Sequence, residues 1–350
     1  MRRFDNQFGA KPTKKDQLRY TESENWKNGK FHNLKPTKVL TNFWDIGAIL
    51  YEQLTNRELR EPKAPLPITR LDKALFSASD EETKIIWYGH SVVLINMMGK
   101  LMLIDPMLGP NAAPISPKPV KRFSDNSLDL INDFPELDIV LISHDHYDHL
   151  DYHSIVKLIP KTKHFMVALG VKRHLVKWGV PKDRIQEFDW WNCRSIEGID
   201  ITFTPSQHMS GRGLTDRNRS LWGGWALVSN KDKIWFSGDG GYGPHFKEVG
   251  NKVGPFDFAF MECGQYNEKW KDIHSLPFES VQALKDAKVE KAMPVHWAGF
   301  SLALHRWTEP VEAFTKFAAS ENLEISLPNL GQVFTIKEDL SDNQWWNEHA

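Results

Sequence analysis

Apolar residues are spaced differently in the two parts of the chain. Residues 1 to 80 are polar and irregular, and KPTKK, NLKPTK and the Pro-rich EPKAPLP limit any regular element there. Within that stretch Phe43, Ile46, Leu50 and Leu54, with Ile49 beside them, recur at helical spacing and predict a short helix docked on the main body. From residue 84 the texture changes. KIIWYGHSVVLIN, a turn around Gly99-Lys100 and LMLIDP predict an antiparallel hairpin. The Pro-rich MLGPNAAPISPKPVKRF that follows is long enough, at about 20 residues, to predict a lid or substrate wall. Next comes LDIVLIS, a continuous apolar run suited to a strand covered on both faces, then HDHYDHLD, then a helix DYHSIVKLI. The same grammar recurs: KHFMVAL precedes VKRHLVKWG, further strands end at IDITFTPSQH, KIWFSGDGGYG and FDFAFMECG, and the helix PFESVQALKDAK leads to KAMPVHW. Strands with helices on alternating sides predict a layered α/β protein. The expected organisation is an N-terminal arm over 1–80 wrapped on the main body, a catalytic domain over 81–340 and a tail over 341–350.

Composition narrows the function classes. The 350 residues carry 44 Lys+Arg against 45 Asp+Glu, a net charge of -1, which argues against a protein whose task is to neutralise a phosphate backbone, so no nucleic-acid partner is expected. Cys193 and Cys263 make neither a disulfide framework nor a Cys-x-x-Cys motif, and two thiols fit a reducing compartment. MRRFDNQFGA lacks an apolar segment after its basic start, and no run of about 18 apolar residues occurs, so a soluble, cytoplasmic protein is expected. The 14 histidines stand out, because imidazole beside carboxylate is the material of metal sites and proton transfer.

His144, His146, Asp148 and His149 form H-x-H-x-D-H directly after LDIVLIS, four potential ligands in a loop anchored by a buried strand. Residues two apart in an extended stretch point the same way, so His144 and His146 can reach one ion; the chain then turns, and Asp148 and His149 can face a second. An open site needs further ligands. His208 after ITFTPSQ, Asp239 in SGDGGY and His296 after KAMPV each sit at a strand exit, and layered α/β folds gather strand ends at one edge. The expected sets are His144, His146 and His208 for one metal and Asp148, His149 and His296 for the other, with Asp239 bridging. Two divalent ions follow, zinc first, with iron or manganese as alternatives. Gly238-x-Gly240-x-x-Gly243 matches a dinucleotide fingerprint, but an acid at the second position stands where a pyrophosphate would approach.

These residues resemble the metallo-β-lactamase superfamily. WYGHSVVLI, LISHDHYDHLDYHSI, DWW (Asp189 to Trp191), TFTPSQH, SLWGGWAL, FSGDGGY, GPFDFAF and PVHW are similar to the branch containing N-acylphosphatidylethanolamine-hydrolysing phospholipase D, from residue 87 to about 300. The resemblance implies a four-layer αββα sandwich with a dinuclear metal centre, the same seven ligands, and a substrate-side role for His274 in KDIHSLP. Two positions depart from the family pattern: Gly240 stands where Thr is more usual, and Glu262, in Met261-Glu262-Cys263-Gly264-Gln265, replaces a more apolar segment.

The expected activity is metal-dependent hydrolysis of a phosphodiester, phospholipase D-like, on an N-acylphosphatidylethanolamine-like lipid or a smaller phosphodiester. A hydroxide bridging the metals would be the nucleophile. Asp148 is expected to orient the water and His274 to contact or protonate the substrate. A lactonase or other ester or amide hydrolase is the alternative on the same centre, and a nuclease ranks below both. Arg212, Arg217 and Arg219 are candidates to anchor a phosphate. For a lipid substrate, Phe43, Trp44, Ile46 and Ile49 are candidates for peripheral membrane contact. His90, in the YGHS turn, is expected to support the centre rather than bind metal.

Overall fold

The computed structural model describes residues 6–37, 59–77, 82–113, 119–213 and 215–350. The helix expected around Phe43 to Leu54, with Trp44, Ile46 and Ile49, lies outside the described residues, as does 114–118 of the Pro-rich loop.

The N-terminal part forms α1 (Lys14–Tyr20), a ribbon of β1 (Trp26–Lys27) and β2 (Lys30–Phe31), and α2 (Lys73–Ser77). Thr13 and Asp16 cap α1 reciprocally, the Thr13 side chain accepting from the Asp16 N–H and Asp16 from the Thr13 N–H, so two donors that the first turn leaves open are satisfied.

The first large sheet then begins with β3 (Lys84–Trp87), β4 (Val93–Met97) and β5 (Lys100–Ile104) and continues with β6 (Leu137–Ile142), helix α3 (Tyr152–Leu158), β7 (Thr162–Ala168), helix α4 (Lys172–Lys177) and β8 (Ile185–Phe188). KIIWYGHSVVLIN is two strands. It breaks at Gly89 and His90, whose φ of +85° and +54° turn the chain, so the expected hairpin is one half of a three-strand meander. The second sheet holds β9 (Cys193–Ile196), β10 (Ile199–Thr204), β11 (Gly224–Val228) and β12 (Lys233–Phe236), then α5 (His245–Lys252), β13 (Phe256–Glu262), α6 (Pro277–Asp286), β14 (Val289–Val295), α7 (Glu309–Ser320) and β15 (Glu324–Ile325). The last strand, β16 (Val333–Thr335), returns to the edge of the first sheet beside β3.

The sheet orders are β16-β3-β4-β5-β6-β7-β8 and β15-β14-β13-β12-β11-β10-β9. Each sheet is antiparallel in one half and parallel in the other, with α3 and α4 crossing between β6, β7 and β8 and α5 and α6 between β12, β13 and β14. The sheets face each other: Phe258 of β13 meets Phe334 of β16 at 6.2 Å between ring centroids, and Phe188 of β8 meets Trp225 of β11 at 5.2 Å. The inner faces being taken, the crossover helices cover the outer ones, and the result is an αββα sandwich. No helix among the described residues is long and apolar enough to cross a membrane.

Strand β6 shows why this frame holds loops rigidly. Ile139, Val140, Leu141 and Ile142 are each at most 1% exposed. Full burial of such side chains is worth about 1.5–3 kcal/mol apiece, so the loop that leaves β6 starts from a fixed point. The N-terminal residues are tied to the loops as well. Gln7 O accepts from Arg212 Nε at 2.9 Å, Ala10 N–H donates to His174 Nδ1 at 3.0 Å, and the Asn33 amide grips the backbone at His208.

Candidate metal centre

The residues singled out in the chain leave the same edge of the two sheets. His144, His146, Asp148 and His149 follow β6, His208 lies in the loop after β10, Asp239 follows β12 and His296 follows β14. Each strand is buried at its end, so each donor is delivered by the core and not by a free loop.

The seven side chains fall into two groups. His144 Nε2 and His208 Nε2 lie 2.9 and 3.1 Å from His146 Nδ1. Asp148 Oδ2 lies 3.3 Å from His296 Nε2 and 3.5 Å from His149 Nε2. Asp239 Oδ2 stands between the groups, 2.9 Å from His149 Nε2 and 3.1 Å from His296 Nε2 on one side, and 3.9 Å from both His144 Nε2 and His208 Nε2 on the other.

On four of the five rings the opposite nitrogen is occupied. His149 Nδ1 donates to Asp105 Oδ2 at 2.7 Å, and His208 Nδ1 to Ile273 O at 2.8 Å. His144 Nδ1 lies 2.9 Å from Ser143 Oγ, which itself donates to Asp105, and His296 Nδ1 lies 3.3 Å from Gly264 O. Tying Nδ1 outward leaves the Nε2 lone pair facing in, which is the arrangement a metal-binding imidazole needs. His296 takes a left-handed backbone (φ +69°), held by its N–H to His90 O at 2.9 Å and by His90 N–H to Trp297 O at 2.7 Å. Gly264 lets this turn approach, because a Cβ there would come 2.2 Å from His296 O.

Burial pushes His144, His146 and His208 downward, with His149 adding repulsion at His144 and His146 at His208, so their lone pairs are free. Burial alone would raise Asp148 and Asp239, but His149 holds both well below the usual carboxylate range. In return, burial disfavours charge on His149 and His296, yet Asp239 raises His149 well above its usual value and His296 to about 10. Two buried carboxylates thus draw their compensation from the imidazoles around them, where a divalent ion would neutralise the same charge.

Three observations fit the residues to metal. Three imidazole nitrogens converge in one group with no hydrogen-bond pattern that satisfies them all, at separations close to the about 3.3 Å between ligands bound tetrahedrally at about 2.0–2.1 Å. Asp239 Oδ1 is buried without a hydrogen-bond partner, and His149 Nε2, though 2.9 Å from Asp239 Oδ2, is not aligned for a hydrogen bond. A buried polar atom without a partner costs about 1–3 kcal/mol, and here an ion would supply it. The donors are imidazole and carboxylate, suited to zinc, iron or manganese.

Two neighbours, Asp105 and Asn33, escaped the sequence reading, whereas His90 and His274 were expected beside the centre. Asp105 is buried at the exit of β5 and accepts from Ser143 N at 2.7 Å as well as from His149. Its signal was present, since LMLIDP ends an apolar run in an acid as KIWFSGD does. Asn33 carried no such signal: its Oδ1 accepts from His208 N at 3.0 Å and Trp222 Nε1 at 2.9 Å, and its Nδ2 donates to His208 O at 2.7 Å. His90, fully buried, lies 3.0 Å from Asp148 Oδ2 through Nε2, and its Nδ1 has no partner. His274 sits beside the centre, with Nδ1 3.0 Å from Glu262 Oε2.

One expectation is corrected. Arg212 is 2% exposed, and its guanidinium donates to Gln7 O, Asp145 O and Leu150 O over the Tyr147 ring, so it is committed to the back of the ligand loop and not free to anchor a phosphate. The glycine triplet has a packing reason instead of a nucleotide: a Cβ on Gly238 would come 2.3 Å from Gly223 O.

Comparison with known proteins adds the family. The model described as Beta-lactamase superfamily domain matches residues 101–297. The chain belongs to the beta-lactamase superfamily. An uncharacterized protein of Mycobacterium tuberculosis (strain ATCC 25618 / H37Rv) is 34% identical over 330 residues, 93% of this chain and 88% of its own length. N-acyl-phosphatidylethanolamine-hydrolyzing phospholipase D 1 of Caenorhabditis elegans is 34% identical over 229 residues, 62% of this chain and 64% of its own. These likenesses support the superfamily and the branch that the motifs resemble. Among solved structures, the metallo hydrolase Igni18 of Ignicoccus hospitalis superposes with a TM-score of 0.55 over 72% of this chain and 97% of its own, and at 19% identity the likeness is one of fold. This superfamily member is a metallo-hydrolase of the beta-lactamase fold with candidate metal-binding clusters at the sheet edge.

Proposed function

We propose that this chain is a dinuclear metal-dependent phosphodiesterase of phospholipase D type, with an N-acylphosphatidylethanolamine-like lipid as its substrate class. The observation that carries the metal count is Asp239 Oδ2, which lies between two separate donor groups. The substrate class is supported by likeness to the nematode phospholipase D and to the yeast protein named N-acyl-phosphatidylethanolamine-hydrolyzing phospholipase D, mitochondrial.

His144, His146 and His208 would hold one ion and Asp148, His149 and His296 the other, with Asp239 shared. When bound, the two ions supply an activated water and neutralise charge developing on the phosphoryl oxygens. Asp148, 14% exposed at the side chain, would orient that water, with His90 steadying the carboxylate at 3.0 Å from Oδ2. His274, 13% exposed, presents Nε2 to the substrate side of the centre. Asp105, Ser143 and the carbonyls of Ile273 and Gly264 keep the ligand rings from turning. In this reading residues 81–340 form the catalytic unit, and the residues before them fasten its ligand loops.

Metal analysis of the purified protein should give two ions per chain, and Asp239→Asn should lose metal from both groups and lower kcat/KM by more than about 100-fold, beyond the usual cost of an outer-shell change. Hydrolysis of bis(p-nitrophenyl) phosphate and of N-acylphosphatidylethanolamine vesicles, set against a lactone panel, tests the reaction class. Turnover of lactones with no phosphodiester cleavage would replace this reading with a carboxylic ester hydrolase on the same centre.

A further inference from the structure

Glu262 ends β13 and is 1% exposed, among the strand ends that carry the candidate ligands. Its Oε1 accepts from Ser275 N at 2.9 Å and its Oε2 pairs with His274 Nδ1 at 3.0 Å. The ligand ring closest to it, His296, has Nδ1 3.9 Å away and directs that nitrogen to Gly264 O at 3.3 Å instead. A carboxylate this deep costs several kcal/mol unless it is paired, and both of its oxygens are spent on the two adjacent residues 274 and 275. Those two bonds fix the ring and the backbone just after it, so the imidazole can neither slide nor flip freely.

The ring is confined on its faces too. His274 stacks on His296, with centroids 5.2 Å apart and planes at 11°, and lies edge-on to His208 at 4.9 Å. Its Nδ1 is taken by Glu262, and its Nε2 makes no hydrogen bond among the described residues and is not buried. The nitrogen available to an incoming molecule is therefore Nε2, beside both candidate ligand groups.

We propose that Glu262 is a positioning residue for substrate recognition: by accepting the Nδ1–H hydrogen bond and pinning Ser275, it fixes the tautomer and pitch of His274 so that the Nε2 lone pair is presented to an N–H or O–H donor of the substrate. The claim rests on the hydrolase reading for its consequence and on the hydrogen-bond geometry for its cause. Replacing Glu262 with Gln separates the two. The amide has one oxygen where the carboxylate has two; if that oxygen keeps the Ser275 bond, the NH2 group faces Nδ1 and reverses the tautomer while leaving the volume unchanged. Glu262→Ala removes the partner altogether.

The test uses the full-length chain labelled with 15N-histidine, metal-stripped and zinc-loaded in turn, with His274→Gln identifying the ring's resonances. Nδ1 should be protonated in the wild type and should lose its proton to Nε2 in Glu262→Gln. Metal content should stay at the wild-type level in Glu262→Gln and Glu262→Ala, while kcat/KM falls by about 10- to 100-fold. Glu262→Ala should cost nothing further once His274→Gln is present, because the two act as one unit. A wild-type ring protonated only at Nε2, additive losses in the double variant, or a metal equivalent lost in Glu262→Ala would each overturn the proposal, the last by making Glu262 a ligand. If the wild type turns over no ester at all, the hydrolase reading fails, and the nitrogen spectra still decide the positioning claim.

Discussion

The two donor groups of the candidate centre are braced by different parts of the chain. The His144, His146 and His208 group leans on neutral partners, a serine hydroxyl and a backbone carbonyl, and on Asn33 from the N-terminal residues, which grips His208 by both its N–H and its C=O. The Asp148, His149 and His296 group leans on the sandwich itself. Its braces are the buried Asp105 carboxylate and the His296-Trp297 turn, backed by Trp87 and by Trp345 and Trp346 at the C-terminus. The first group therefore depends on the N-terminal residues, and the second on the sandwich and the C-terminal tryptophans. Under the proposed dinuclear reading, the two ions should loosen separately.

The largest separation should come from Asp105→Asn. It keeps the shape of the side chain but weakens the charge-assisted bond to His149, and it should reduce retention of the second ion by about 10- to 100-fold and of the first by less, because Asp105 reaches His144 only through Ser143. Stepwise chelator titration with metal analysis of the protein reads this directly, and equal loss of both ions would break the comparison. Asn33→Ala should do the converse. It removes three hydrogen bonds at His208 and Trp222 and should weaken the first ion by about 10-fold, consistent with a net 0.5–1.5 kcal/mol per hydrogen bond of which only part reaches the metal. Unchanged retention of the first ion would show that the N-terminal residues merely cover the centre.

The smallest effect sharpens the picture on the N-terminal side. His245, at the start of α5, is buried, and burial with Lys35 nearby pushes it down to about 3. Its folded value lies below the unfolded one, so the unfolded chain binds the extra proton, and stability is lost as pH falls from about 6.5 towards 3, by at most about 1.4 kcal/mol per pH unit. His245→Gln should flatten the dependence of the denaturation midpoint on pH between 6 and 4 by close to one proton, with no change above pH 7. An unchanged slope would show that His245 is already protonated in the fold.

Much of the fold was legible because burial writes itself into local composition. LDIVLIS, FDFAFME and KAMPV are continuous apolar runs, as strands covered on both faces must be, and each is followed by a polar residue at the edge where strands end. Where the chain turned on backbone conformation, local pattern said less: KIIWYGHSVVLIN reads as one apolar stretch until Gly89 and His90 take positive φ. Arg212 misled for a related reason, since a basic cluster in GRGLTDRNR reads as a surface feature until packing buries its first member under Tyr147 and Trp178.

By itself the sequence determined which residue types stand at the strand exits, and the H-x-H-x-D-H spacing divided them into two groups, because side-chain direction along an extended segment depends only on neighbours. Tertiary structure alone decided which nitrogen of each ring faces inward, that Asn33 reaches His208 across 175 positions, and that Glu262 pairs with His274. Those are hydrogen bonds between segments remote in the chain, and their geometry is set by how the two sheets and their loops pack.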